Sequence, residues 1–514
     1  MSSEGKIDPL PLSASSDWFK NLLVVDRMEI GPAKIEKKRV VTPYKIIQNG
    51  REDSHHLIYH FDEAVFQPDE PQSINLANLM TAQGAINYGL FCKEIVFKGL
   101  FDDVDRQFIL DMSINTAQEI YAKKFLEPNH FLLGEAAKVP IIHKENYLQA
   151  KLLYEKIELK SPLKPLPDLP KPDRQKIAVL SSGGKDSLLS FGLLQELGYD
   201  VHPIFVNESG RHWYTALNSH RYFKENYPNT GRVWTNCDRV YNWVIRHFPF
   251  IRQDFQRIRS DEYPIRLYTV PVFLFGVLAV VRKRGISRVV IGDEYDTTRK
   301  LYNDGVLHYD GLYDQSRYFD LAMSQYYQRK NWGISQFSII RSLSEIFILK
   351  ILTERYPELQ EQQISCHLAH IENGRVKPCG NCEKCRRIVG MLAAIGADPT
   401  RCGYRPEHIQ RCLDAIMIKG VHQEIEGAQH MVHLLKQLGY KLEGTHAAIP
   451  HPEVMNVRIH PEYSPIEEIP VDLRVPLFKI FMEYTEVALK ADGTGWKKID
   501  LFDEPAMTQK YKFE

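Results

Sequence analysis

Ser182-Gly183-Gly184-Lys185-Asp186-Ser187 follows directly on the apolar run Ile177-Ala178-Val179-Leu180 and leads into Leu188, Leu189, Phe191, Leu193, Leu194 and Leu197, with Gly198 as a stop signal. Read outward, this is a strand, a loop and a helix in succession. Paired glycines without Cβ let the backbone turn sharply and bring successive N–H groups onto an anion, while the following helix offers its positive N-terminal end to the same charge. Lys185 adds a point charge and Ser187 a hydroxyl donor. The run is not a Walker A loop, because Val179 stands where the first glycine is needed and Asp186 where Ser or Thr should follow the lysine. The loop must hold a different part of a nucleotide.

Position by position, Ser182 to Ser187 resembles the signature of the pyrophosphate-loop ATPases, the adenine nucleotide alpha hydrolase-like superfamily. The resemblance implies cleavage between the α and β phosphates of ATP, with AMP passed to a substrate oxygen and pyrophosphate held by the loop. It also implies ATP and Mg2+ as cofactors, Ser182, Gly183, Gly184, Lys185, Asp186 and Ser187 as the ATP-binding set, and Lys185 and Asp186 as its catalytic members.

Around the loop, short β-branched or apolar runs at Ile177 to Leu180, Val201 to Val206, Val233 to Thr235 and Val289 to Ile291 alternate with helical segments such as Tyr268 to Arg284. This pattern predicts an α/β fold with a doubly wound, mostly parallel sheet. Ligands of such sheets lie at the carboxyl ends of the strands, which directs Ser182, Asn207, Asn236 and Gly292 to Asp296 toward one crevice. Asn207, Glu208 and Arg211 are candidates for contacting the adenosine or an acyl group, or else are ordinary polar residues at a strand end. Gly292, Asp293 and Asp296 form a second candidate set, its aspartates holding magnesium or a base edge, or else capping the next element.

The second signal is Cys366, then Cys379, Cys382 and Cys385. Four thiolates suit a closed tetrahedral zinc site; the two Cys-x-x-Cys turns share their middle cysteine, and the sequence-distant fourth ligand ties down the intervening segment. An iron–sulfur cluster is the first alternative and unligated reduced thiols the second. His367 and His370 lie close enough in sequence to replace a cysteine, although an exposed or core-satisfied histidine is the more ordinary fate.

Together the two signals resemble the 7-cyano-7-deazaguanine synthase (QueC-like) family, in which a Ser-Cys pair, a spacer and Cys-Gly-x-Cys-x-x-Cys follow a short amphipathic helix. This chain has Ser344 and Glu345 opening a helix through Ile346, Leu349, Ile351 and Leu352, then Ser365-Cys366, then Cys379-Gly380-Asn381-Cys382-Glu383-Lys384-Cys385. The match spans roughly residues 175 to 400. It departs in the longer spacer Leu368 to Pro378, in having Lys185 where the family more often has an apolar residue, and in Gly292, Asp293, Asp296 and Tyr302-Asn303-Asp304, a blurred counterpart of the family's substrate segment. The resemblance implies activation of a 7-carboxy-7-deazaguanine-type carboxylate as an acyl-adenylate, transfer to ammonia or another amine, and a structural zinc. Other readings are a paralogue that conjugates the acyl group to a protein in antiviral defence, a tRNA sulfur transferase, and a non-catalytic nucleotide-binding scaffold.

With 514 residues, 44% hydrophobic and 25% charged, the chain is long enough for several domains. Five prolines within Ser161 to Gln175 read as a stiff linker. The expected organisation is an N-terminal α+β accessory domain over 1–160, a linker over 161–175, the pyrophosphate-loop domain with its zinc segment over 176–404, and a mainly helical extension over 405–514 with a helix at Leu477 to Leu489. Equal numbers of basic and acidic residues leave no global field to attract nucleic acid. The added segments point instead to a protein partner or a homodimer. Eight cysteines, half of them spaced as metal ligands, indicate a reducing, cytoplasmic setting. No segment reads as a signal peptide or a membrane span.

Overall fold

The computed structural model describes residues 18–155, 158–159, 169–208, 210, 213–258, 263–421, 424–441, 447–493 and 495–513. Its spine is a sheet of eleven strands among the described residues: β1 (Val25–Ile30), β2 (Lys34–Glu36), β3 (Arg39–Gln48), β4 (Arg51–Phe61), β5 (Cys92–Lys98), β6 (Lys151–Glu155), β7 (Asp173–Ser181), β8 (Asp200–Glu208), β9 (Gly231–Thr235), β10 (Ile286–Val290) and β11 (Ser335–Phe337). The order is β11-β10-β7-β8-β9-β4-β3-β1-β5-β6, with β2 paired to β3. The five strands from β11 to β9 are mutually parallel, and β7, which feeds the Ser182–Ser187 loop, lies at their centre.

The run Ile177-Ala178-Val179 shows why β7 is apolar throughout. Ile177 and Val179 belong to the core on one face of the sheet and Ala178 to the core on the other. A parallel strand covered on both sides loses the polar half of the usual alternation. One face is covered by the helix Val270–Arg284, the other by Lys185–Glu196, Glu345–Arg355 and Glu383–Ala394. Among the described residues no helix is long and apolar enough to cross a membrane.

Several expectations change. The N-terminal segment, expected to stand apart, shares the sheet: β4 pairs antiparallel with β9, Tyr59 opposite Thr235 and Phe61 opposite Val233. Asn236 helps close that seam, its Oδ1 accepting from Ile58 N at 2.8 Å and its Nδ2 donating to His56 O at 2.9 Å, so its amide serves β4 rather than the crevice. The strand β7 begins at Asp173, inside the proline-rich stretch; residues 161–168 of that stretch lie outside the described residues.

In the C-terminal segment the helices Pro406–Lys419 and Ile425–Gln437 flank the expected break at Gly420. The helix expected at Leu477 to Leu489 instead runs from Val471 to Met482. Leu489 falls in a strand, Ala488–Asp492, sandwiched between Val457–Ile459 and Gly495–Ile499 in a three-stranded sheet, so the extension is mixed rather than mainly helical. It is fastened to the central sheet: Arg288 of β10 donates both Nη groups to Asp472 at 2.7 and 2.9 Å.

Candidate functional site

The loop sits at the topological switch point, between β7 and β10, where the strand order reverses. Gly183 has φ +76°, and a Cβ there would stand 2.4 Å from Ser219 Oγ and 2.9 Å from both Ala216 Cα and Thr215 O. Just past the end of β10, a Cβ on Gly292 would lie 2.7 Å from Asp186 Cβ and 3.1 Å from Ser187 N. These two glycines therefore bring the helix Trp213–Asn226 and the end of β10 against the first turn of Lys185–Glu196. Gly184 is the N-cap of that helix, with extended backbone and no side chain to occupy its first N–H groups. Gly183→Val is expected to impose about 1–3 kcal/mol of backbone strain, and so to weaken ATP binding roughly tenfold or more, while metal content stays at the wild-type level; nucleotide titration alongside elemental analysis checks it.

Lys185 is where the geometry departs most from expectation. A lysine that carries charge into solvent-facing phosphate should be exposed, yet its side chain is 6% exposed and its Nζ lies 2.8 Å from Asp186 Oδ1, 3.0 Å from Glu294 Oε2 and 3.0 Å from Glu345 Oε1. Burial opposes its charge, but Asp186, Glu294 and Glu345 outweigh that and hold its pKa above the ordinary lysine value. Glu345 is buried too, yet Arg387 and Lys185 keep its carboxyl below the usual range. Burial pushes Glu294 well upward. Glu294, Glu345 and Arg387 escaped the sequence reading as site residues. The available hints were the position of Glu294 inside the Gly292–Asp296 segment, Glu345 at a helix start, and Arg387 two residues beyond Cys385.

The other candidates divide. Asp293 is buried and engaged: it accepts from Arg341 Nη2 at 3.2 Å, in a cluster where Arg341 also donates to Asp320 at 2.7 Å. Asp296 is half-buried in the short turn Tyr295–Thr298, its carboxyl pushed up to about 7 by burial and by Glu424, Glu345 and Asp310. Asn207 is half-buried near the end of β8, and the neighbouring Glu208 is bound to Arg266 at 2.9 Å. Arg211 lies outside the described residues.

The four cysteines converge. The Sγ atoms of Cys366, Cys379, Cys382 and Cys385 all lie within 4.8 Å of one another, with Cys382–Cys385 at 3.4 Å, Cys379–Cys385 at 3.8 Å and Cys382–Cys366 at 3.9 Å. A zinc–sulfur bond of ~2.3 Å sets tetrahedral sulfurs about 3.8 Å apart, so the donor set fits zinc. Backbone N–H groups of Leu368 and Cys379 donate to Cys366 Sγ at 3.3 and 3.2 Å, as thiolate ligands require. His370 is turned to Glu372 instead, 3.7 Å away. The long spacer is accounted for by a hairpin, His370–Glu372 with Arg375–Lys377, whose turn residues Asn373 and Gly374 both have positive φ. Asn218 clamps it, exchanging two 3.0 Å hydrogen bonds with the Val376 backbone, so the spacer ties the cysteine cluster to the helix packed on Gly183.

No protein-family model and no curated protein matches this chain. Among three chains of known structure that do match is a predicted subunit of a tRNA methyltransferase from Methanocaldococcus jannaschii DSM, 17% identical, aligned over 45% of this chain and 92% of that one with a TM-score of 0.23. So loose an alignment carries no argument about activity.

Proposed function

We propose that this chain is an ATP-dependent enzyme of the pyrophosphate-loop type that adenylates a carboxylate and passes the acyl group to an amine. The observation that supports it most is the glycine-turned Ser182–Ser187 loop at the switch point of five parallel strands, opening a helix whose first N–H groups lack a side-chain cap. In this reading a substrate carboxylate oxygen attacks the α-phosphorus, the bond to the bridging oxygen of the β-phosphate breaks, and pyrophosphate leaves into the loop. The amine then attacks the acyl carbon, AMP departs and the nitrogen loses a proton. Activation is required because a carboxylate resists nucleophiles whereas an acyl-adenylate does not.

Charge around Lys185 supports a need for a divalent cation. Asp186, Glu294 and Glu345 all place a carboxylate oxygen within 3.0 Å of the Lys185 Nζ, so a polyphosphate approaching that lysine meets carboxylates beside it. Asp186 and Glu294 are the hard oxygen donors beside the loop that would hold Mg2+. That ion would neutralise charge on the departing pyrophosphate. Zinc, in the four-cysteine cluster, would be structural.

For the substrate we favour a 7-carboxy-7-deazaguanine-type acid with ammonia as the amine, on the Ser365-Cys366 and Cys379–Cys385 pattern. Going on from amide to nitrile would need a second adenylation, at the amide oxygen, with AMP leaving as the nitrogen loses its protons. The tRNA sulfur-transfer reading is disfavoured by the four cysteines outside the cluster. Cys92, Cys237, Cys402 and Cys412 are all buried, and burial pushes the Cys402 and Cys412 thiols up to about 12 and the other two upward as well; none is an accessible thiolate. Incubation with ATP, Mg2+, 7-carboxy-7-deazaguanine and ammonium, followed by mass spectrometry of small molecules and of protein, tests the reading. A carboxylate-dependent amide or nitrile supports it, an acyl mass added to a protein supports the conjugating variant, and carboxylate left unchanged while ATP is consumed contradicts both.

A further inference from the structure

The cysteine cluster and the phosphate loop are joined by one carboxylate. Arg387 follows Cys385 by two residues on the helix Glu383–Ala394, whose N-cap is Cys382. Its Nη1 lies 3.5 Å from Glu345 Oε2, while the other oxygen of the same carboxylate, Oε1, lies 3.0 Å from Lys185 Nζ. Glu345 is thus shared, one oxygen for the cation of the loop and one for the cation of the cysteine-bearing helix. Its own backbone is fixed: it is the first residue of Glu345–Arg355, capped by Ser344, whose Oγ accepts from Phe347 N at 3.2 Å and donates to Val454 O at 2.5 Å.

Lys185 has two other carboxylates to choose from. Asp186 is its sequence neighbour and partly exposed, and Glu294, from the segment that follows β10, lies 3.0 Å away. A long, flexible lysine with three acceptors has no single position unless one of them is immobile. Glu345 supplies that, because it is anchored through its helix cap on one side and through Arg387 on the other. Arg387 also offsets the negative charge that Glu345 would otherwise bring to a site meant for phosphate, its guanidinium lying within electrostatic reach of Glu294 and Asp186.

We propose that Glu345 and Arg387 are positioning residues for the loop lysine, so that the cysteine-bearing helix sets where Lys185 stands when polyphosphate arrives. The proposal rests on the phosphate-loop reading of Ser182–Ser187, and its test separates the two. In the full-length protein, with zinc content and melting temperature recorded for each form, Glu345→Gln, Arg387→Met and Arg387→Lys are compared for binding of ATP, inorganic pyrophosphate and AMP and for ATP turnover. Glu345→Gln removes a negative charge but loosens Lys185, so ATP and pyrophosphate affinity should hold or tighten while turnover falls roughly a hundredfold, the cost of an ångström-scale misplacement. Arg387→Met should weaken ATP and pyrophosphate about tenfold or more, leave AMP within about threefold, and lower turnover as well. Arg387→Lys, which keeps the charge, should restore most of the affinity.

Wild-type affinities and turnover in both Glu345→Gln and Arg387→Met, at full zinc content, overturn the proposal while leaving the loop reading intact. Losses in Arg387→Met matched by lost zinc or a collapsed melting temperature, with Glu345→Gln fully active, also overturn it. A wild-type protein that binds neither ATP nor pyrophosphate overturns the loop reading, and the proposal falls with it.

Discussion

Lys185→Ala is expected to abolish ATP cleavage and, at the same time, to destabilise the protein. The first effect follows from removing a positioned charge at a developing pyrophosphate, which costs about a hundred- to a thousandfold in rate. The second follows from its surroundings. An exposed loop lysine could be deleted at almost no cost to folding, but this one is 6% exposed and faces Glu294 and Glu345 at 3.0 Å, both themselves mostly buried. Breaking a buried ion pair from one side typically costs ~3–5 kcal/mol. We expect a loss near the lower end, because burial already pushes Glu294 upward and it can take a proton once the lysine is gone. Denaturant titration with a parallel turnover assay checks both effects. A variant as stable as wild type would contradict the buried carboxylate cage, and one with wild-type turnover would contradict the role of the loop.

Cys382→Ser should have the other large effect. Cys382 is both a member of the cluster and the N-cap of Glu383–Ala394, so losing it removes a ligand at the point where the helix begins. Because a closed four-thiolate site contributes folding energy directly, about one zinc per chain should fall to a small fraction of that, with a markedly lower melting temperature and poorer solubility. The damage should spread: the hairpin held by Asn218 and the helix carrying Arg387 both depend on the cluster. Elemental analysis and thermal melts decide it. Iron with sulfide in anaerobic preparations, or a metal-free protein of full stability, would contradict a structural zinc.

The parts of this protein legible in its sequence are those whose chemistry is written in contiguous residues. Ser182–Ser187 stands out because glycines, a lysine and a helix start fall within a few positions between a strand and a helix, an order the structure keeps, and the cysteine cluster because of its short spacings, its four sulfurs converging in the fold. The strands β7, β8, β9 and β10 are readable as buried apolar runs, although Asp173 and Lys176 in β7 and Ser287 and Arg288 in β10 extend them beyond what apolarity marks. What stayed hidden depends on pairings across the fold. Nothing local in Arg51–Phe61 says that its edge will meet Gly231–Thr235. Ser335–Phe337 is three residues long, too short for a period to appear. Leu477, Phe478, Ile480 and Phe481 fit a helix, but the chain leaves it at Met482, and Leu489 is apolar because a strand neighbour covers it. Lys185 was the most instructive case: its charge was obvious, while its confinement by Glu294 and Glu345 comes from residues more than a hundred positions away.

The most direct test of the central claim is the fate of the phosphates of ATP. Followed by phosphorus NMR in the presence of Mg2+ and a carboxylate substrate, turnover by the wild-type protein should yield AMP and pyrophosphate in equal amounts and no ADP. ADP with inorganic phosphate as the products would mean that the bond broken is the one to the γ-phosphate, and would contradict a loop built to hold departing pyrophosphate.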